Sequence, residues 1–308
     1  MDPILSATLR SWEWRLEVLI PLIVAGAVYF MGWRRLRVKG RRPQRLANGW
    51  RLLAYWSGLA IIGLALLSPI DVLSSQLFFM HMVQHLLLVM LAPPLLMLAN
   101  PLPFLLWGLP QSLRRRAGAV LSNVLHRQSD TRKYLRLITS PGVSWMLFVI
   151  VLIGWHDPNL YDAALRSNVV HDLEHITFFG TAMLYWWHVV GAGPHIHKRF
   201  SRPARIMYVI AAIPPNMLTG IAIAFAGQVI YTYYLGVPRL WGINALDDQT
   251  LAGVIMWVPG SMMYIVAVLI IAARWLQGEE SKPPLPMAVW ATDERMEAPG
   301  LRERGVDG

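Results

Sequence analysis

Histidine recurs one helical turn apart in two places, His81 and His85 in "FFMHMVQHLLLVMLAPP" and His171 and His175 in "SNVVHDLEHITFFG". A spacing of i, i+4 puts both imidazoles of a pair on one face of a helix. Imidazole suits zinc, copper, iron and nickel, so two facing pairs could supply four nitrogens to one ion, or two each to a pair of ions. Both motifs open long apolar runs, and an ionisable side chain within hydrocarbon is costly enough to count as a functional candidate. Further donors fall at the same level of the chain. His156 and Asp157 close the run that precedes the second motif, Asp172 and Glu174 lie inside it, and Asp71, Asp247, Asp248 and Gln249 sit at other span ends. Met80, Met82 and Met256 add thioethers, although helical methionines are commonly filler. Five of the nine histidines gather here, and the chain has no cysteine. That excludes thiolate sites, disulfides, iron–sulfur clusters and c-type haem attachment, leaving His, Met, Asp or Glu to hold any metal. His188 reads as structural, and His195 and His197 as solvated loop residues.

The elements that must position these groups are membrane spans. The 308 residues are 55% hydrophobic and only 15% charged, and apolar runs recur to about residue 276 with no soluble block between them. Seven runs are long enough to cross about 30 Å of hydrocarbon: roughly 16–33, 52–70, 78–100, 143–156, 168–190, 206–227 and 249–274. Pro93-Pro94 should kink the third and Pro214-Pro215 the sixth, while "PLPFLLWGLP" (101–110) is expected to lie in the interface. The N-terminal "MDPILSATLRSWEWR" lacks the basic-then-apolar pattern of a cleavable signal. Of the 28 Lys and Arg, 24 fall on one side of this arrangement. The positive-inside rule then makes the fold an all-α, seven-helix transmembrane bundle with the N-terminus periplasmic and the C-terminus cytoplasmic. Residues 1–276 form the membrane domain, and 277–308, rich in Pro, Glu and Arg, read as a disordered cytoplasmic tail. Topology and contact with anionic lipid account for the net charge of +10, so no nucleic acid is needed as a partner. The third and fifth spans run in the same direction, and each places its histidines roughly 4.5 and 10 Å below its start. The two pairs therefore lie at one depth, near the periplasmic surface.

Several chemistries compete for such a cluster. "HDLEH" matches H-x-x-E-H, in which two His hold zinc and Glu activates water, but that motif belongs to a soluble helix beside a cleft. A seven-span zinc hydrolase resembling the alkaline ceramidase and adipoQ-receptor group would use three His, an Asp and a Ser, for which Asp71 with Ser74 or Ser75 is available. Bis-His haem needs one imidazole from each face, which an i, i+4 pair does not supply by itself. Copper suits neutral imidazole and, as Cu(I), methionine.

The blocks "HMVQHLLLVMLAPPLLMLANPLP", "GWHDPNLYDAALRSNVVHDLEHITFFGTAMLYWW" and "DDQTLAGVIMWVPG" resemble the signature blocks of the polytopic CtaG family of cytochrome c oxidase assembly proteins. This family is distinct from the single-span, Cys-based copper chaperone of the same name. The resemblance covers about residues 15–276, and its matching positions are His81, His85, His156, Asp157, His171, Glu174, His175, Asp248 and Gln249. It implies a multi-pass protein of the bacterial plasma (inner) membrane that supports copper delivery to subunit I of a haem–copper oxidase, with no turnover of its own. Its implied partners are the oxidase subunits, periplasmic copper chaperones and the bilayer. The expected metal residues are His81, His85, His171 and His175, joined by His156, Glu174, Asp157 and Asp248. Copper is the expected ion with zinc as the alternative; a scaffold that binds no metal is the remaining reading.

Overall fold

Serine, asparagine and proline set the helix starts in the computed structural model, which describes residues 10–39, 47–126, 128–194, 196–197 and 200–280. After α1 (Leu16–Lys39), Asn48 caps α2 (Gly49–Leu67) by accepting from Trp50 N. Ser68 ends α2 three residues earlier than hydropathy alone suggested, because its hydroxyl caps α3 (Pro69–Ser74) through Ile70 N. The third span is α4 (Phe78–Leu86), a π turn (Leu87–Leu91) and α5 (Ala92–Leu98). Proline causes that interruption. Pro93 and Pro94 lack the N–H groups that the carbonyls four residues back would accept. The register widens so that Ala92 N reaches Leu87 O, as π turns allow. The carbonyl of Val89 instead receives the Trp186 indole N–H at 2.9 Å.

Asn100, in the left-handed region at φ 49, turns the chain into α6 (Pro101–Gly108). This helix packs back along α1, where a Cβ on Gly32 would stand 1.7 Å from Phe104 O and one on Gly108 1.9 Å from Val28 O. Only glycine permits so close an approach. Two mostly exposed amphipathic helices follow, α7 (Gln111–Leu125) and α8 (Asp130–Ile138). Then come α9 (Pro141–Trp155), α10 (Pro158–Arg166) and α11 (Asn168–Val190), the last with the bounds read from the sequence. The sixth span breaks at Ala211-Ala212, just before its prolines, into α12 (Arg202–Ile210) and α13 (Ile213–Ala224). A short 3₁₀ turn (Thr232–Leu235) leads to α14 (Ala245–Glu280), which overruns the expected span at both ends. Of the tail, 277–280 continue this helix and the remainder lies outside the described residues.

Among the described residues, five helical stretches are long and apolar enough to cross a membrane (α1, α2, α4 through α5, α12 through α13, and α14), or six if α8 and α9, bent by 49°, form one span. These make the chain a multi-pass membrane protein. α11, at 23 residues, is long enough but is less apolar, because His171, Asp172, Glu174, His175 and His188 interrupt it. The larger core gathers Phe78, Met82, Phe148, Phe178, Tyr185 and Tyr264 from α4, α9, α11 and α14. A smaller one joins α1, α2, α5 and α6 through Tyr29, Tyr55, Leu96 and Phe104. The histidines lie inside the larger.

Candidate metal centre

α4 and α11 present their histidine faces to each other. The His81 ring centroid lies 5.3 Å from that of His171 and 6.2 Å from that of His175, and His85 stands 5.6 Å from His175. One ligand atom from each of His81, His85 and His175 lies within 4.8 Å of the others, and the same holds for His81, His171 and Glu174. Glu174 projects between the pairs, its carboxylate oxygens 3.5 Å from His85 Nε2 and 3.8 Å from His81 Nε2. His156, the C-cap of α9, closes the cluster with its ring 6.3 Å from His85. All of these except half-buried His171 are buried.

The hydrogen bonding is asymmetric. Among the described residues, seven buried atoms here have no hydrogen-bond partner: His81 Nε2, both nitrogens of His85, His156 Nε2, His175 Nε2 and both oxygens of Glu174. On His156 and His81 the opposite ring edge is held. His156 Nδ1 lies 2.6 Å from Leu152 O, and with its proton there the bare lone pair sits on Nε2, toward the cluster. His81 Nδ1 is 3.5 Å from the Tyr234 hydroxyl, which donates to Ser74 O at 2.9 Å and meets the Tyr161 hydroxyl at 3.3 Å. Tyr234 and Tyr161 had no signal in the sequence. They lie in a loop and a short connecting helix, and only folding brings them to His81.

Two expected members of the cluster do other work. Asp157 is the exposed N-cap of α10, accepting from Asn159 N and Leu160 N. Asp248 is fully buried, but its carboxylate accepts from Phe78 N and Phe79 N at 3.0 and 2.9 Å. The first residue pair of α4 has no cap of its own, so α14 supplies one and fixes the helix that carries His81 and His85. Gln249 likewise holds backbone, accepting from Ile230 N. Gln84 ties α4 to Ala65 O and Asp71 Oδ1. On the far side, His188 bonds Ser144 and Thr139 O, in keeping with a structural role. His197 is not solvated: it is half-buried, and its Nε2 lies 2.9 Å from Thr139 Oγ1. His195 lies outside the described residues.

Two cavities adjoin the centre. A small one of about 30 Å³ is lined by His85 and His156 together with Met82, Met90 and Met256. A polar one of about 280 Å³ runs from Glu13, Arg15, Asp71 and Ser75 down to His171. At its mouth Arg15 is clamped by Asp172 at 2.8 and 3.1 Å.

The profile of the cytochrome c oxidase caa3 assembly factors (Caa3_CtaG) matches residues 27–278. The chain belongs to that family. Uncharacterized proteins of Mycobacterium bovis and Mycobacterium tuberculosis are each 28% identical to it over 271 residues, and one of Mycobacterium leprae is 26% identical over 278. These alignments cover 85% of this chain but 39% of each relative, so the chain matches well under half the length of those relatives. No solved structure matches.

Proposed function

We propose that this family member serves the maturation of a haem–copper cytochrome c oxidase by holding a copper ion for transfer, with subunit I as the recipient. The seven buried, partnerless donor atoms carry the reading. Leaving such groups unmet costs roughly 1–3 kcal/mol each. Seven amount to the order of ten kcal/mol, as much as the whole stability of a typical domain. A cation shared among neutral imidazoles and a carboxylate offsets that cost directly. His81, His85, His175 and His171 would hold it, with Glu174 as the anionic member and His156 at the edge.

The thioethers beside His85 and His156 favour a soft ion, Cu(I), over zinc. Copper is here cargo. A site without thiolate binds more weakly than one with it, which suits a protein that gives its ion up. The polar cavity at His171 provides access from the face opposite the basic loops, where periplasmic copper chaperones would donate. In this reading the protein spans the bacterial inner membrane seven times and has no turnover of its own.

The test replaces both His81 and His171 by Ala. Copper content of the purified protein and oxidase activity of the membranes should fall together, while the protein remains folded and inserted. Zinc in place of copper in the wild-type protein would overturn the choice of ion. Oxidase activity that survives the double change at ordinary copper supply would favour a scaffold.

A further inference from the structure

A second large cavity lies at the other end of the bundle. It measures about 320 Å³ and is enclosed by α5, the end of α11, the start of α12 and the second half of α14. Its lining follows α14 from Met263 to Arg274, about 16 Å at 1.5 Å per residue. The wall is apolar, with Met90, Trp186, Met263 and Ala267 among its members. Pro94 of the interrupted third span also lines the cavity. At the basic end the wall changes character, and Arg202, Arg205 and Arg274 stand together. Two of these guanidiniums rest on backbone. A Cβ on Gly278 would lie 2.8 Å from Arg202 Nη1, and one on Gly191 3.1 Å from Arg205 Nη2.

Such a cavity selects by chemistry at both ends. Its length takes a hydrocarbon chain, and burying apolar surface is favourable only for a tail that fits. Three guanidiniums at the mouth suit a phosphate, which accepts charge-assisted hydrogen bonds. A soluble anion would not use the wall, and a zwitterionic lipid would bring its own cation among three others. We propose that this cavity binds an anionic phospholipid, one acyl chain along α14 and the phosphate among Arg202, Arg205 and Arg274. The inference is independent of the metal centre.

The experiment is native mass spectrometry of the full-length protein released from nanodiscs with equal amounts of phosphatidylglycerol and phosphatidylcholine. The wild type should retain one phosphatidylglycerol with a preference of roughly tenfold or more. Changing Arg202, Arg205 and Arg274 to Gln should abolish the preference. Ala267→Trp, or Val266→Trp should the first variant melt early in detergent, should fill the cavity and lower retention of that lipid about tenfold. Equal retention of the two lipids in the wild type overturns the proposal. So does a preference that survives the Gln changes, or retention untouched by both tryptophans, since the headgroup would then sit on a charged surface without a seated chain.

Discussion

His81 shows how much a metal-type histidine depends on what lies behind it. Its Nε2 faces Glu174 while its Nδ1 faces the Tyr234 hydroxyl, itself fixed by Ser74 O. Removing that hydroxyl leaves the ring freer to rotate without changing any ligand. We expect Tyr234→Phe to weaken copper binding roughly tenfold to a hundredfold, as loss of a ligand's orienting partner does. Competition against a Cu(I) chelator measures it, and an unchanged affinity would remove Tyr234 from the site. Asp157→Ala is the contrasting case. It deletes an exposed helix cap, so it should cost about 1 kcal/mol of stability and leave affinity where it was. The sequence disclosed the imidazoles because their spacing and depth are local properties. It did not disclose Tyr234, and it placed Asp157 and Asp248 in the cluster, because a carboxylate near a span end looks the same whether it faces a metal or a helix terminus.

At the scale of elements, the centre is a contact between α4 and α11, and α14 sets α4 in place. Asp248 does this with one carboxylate on two backbone N–H groups. Its replacement by Ala should cost about 1–2 kcal/mol in thermal or denaturant unfolding, near the upper end for a lost cap. Asp248→Asn, which keeps one acceptor, should recover part of this. Equal stability of all three proteins would mean that α4 needs no cap from α14. The π turn has its own dependency: Trp186→Phe leaves Val89 O buried without its donor, a cost of roughly 1–3 kcal/mol. The long apolar helices were legible, because apolar length alone signals a span, whereas α3, α7, α8 and α10, which no apolar run marks, were not. The ends of the spans were less legible. Ser68 stops α2 through a side-chain hydrogen bond, and α14 extends to Glu280 because nothing at the membrane surface obliges a helix to end. The return of α6 along α1 depended on Gly32 meeting Phe104 and Gly108 meeting Val28, a match between distant residues that no local pattern records.

For the whole molecule, the question is how the polar end beside His171 meets water. Asp71 lies on α3, outside the spans, and lines the polar cavity that reaches His171. Burial pushes its carboxyl up from 3.8 to about 6, against the opposing hydrogen bond from Gln84. The folded protein therefore holds this proton more tightly than the unfolded chain does. Stability should fall as pH rises from about 4 to about 6 and then level off with the penalty fully present. Asp71→Asn keeps an acceptor for Gln84 and cannot ionise, so its thermal midpoint should change less across that interval. A wild-type profile identical to that of the variant would place Asp71 in open water. The same end should also face outward in the cell. With 24 of 28 Lys and Arg on the opposite side, reversal would place most of the cation excess on the wrong side of the membrane. The absence of native cysteine makes the test clean, because one introduced thiol is the only target for a membrane-impermeant maleimide. Ser75→Cys, exposed beside α3, should label in intact cells, whereas Leu113→Cys, exposed on α7 among the basic loops, should label only after lysis. The opposite pattern would invert the molecule, turn the polar cavity toward the cytoplasm, and leave a periplasmic donor no access to His171.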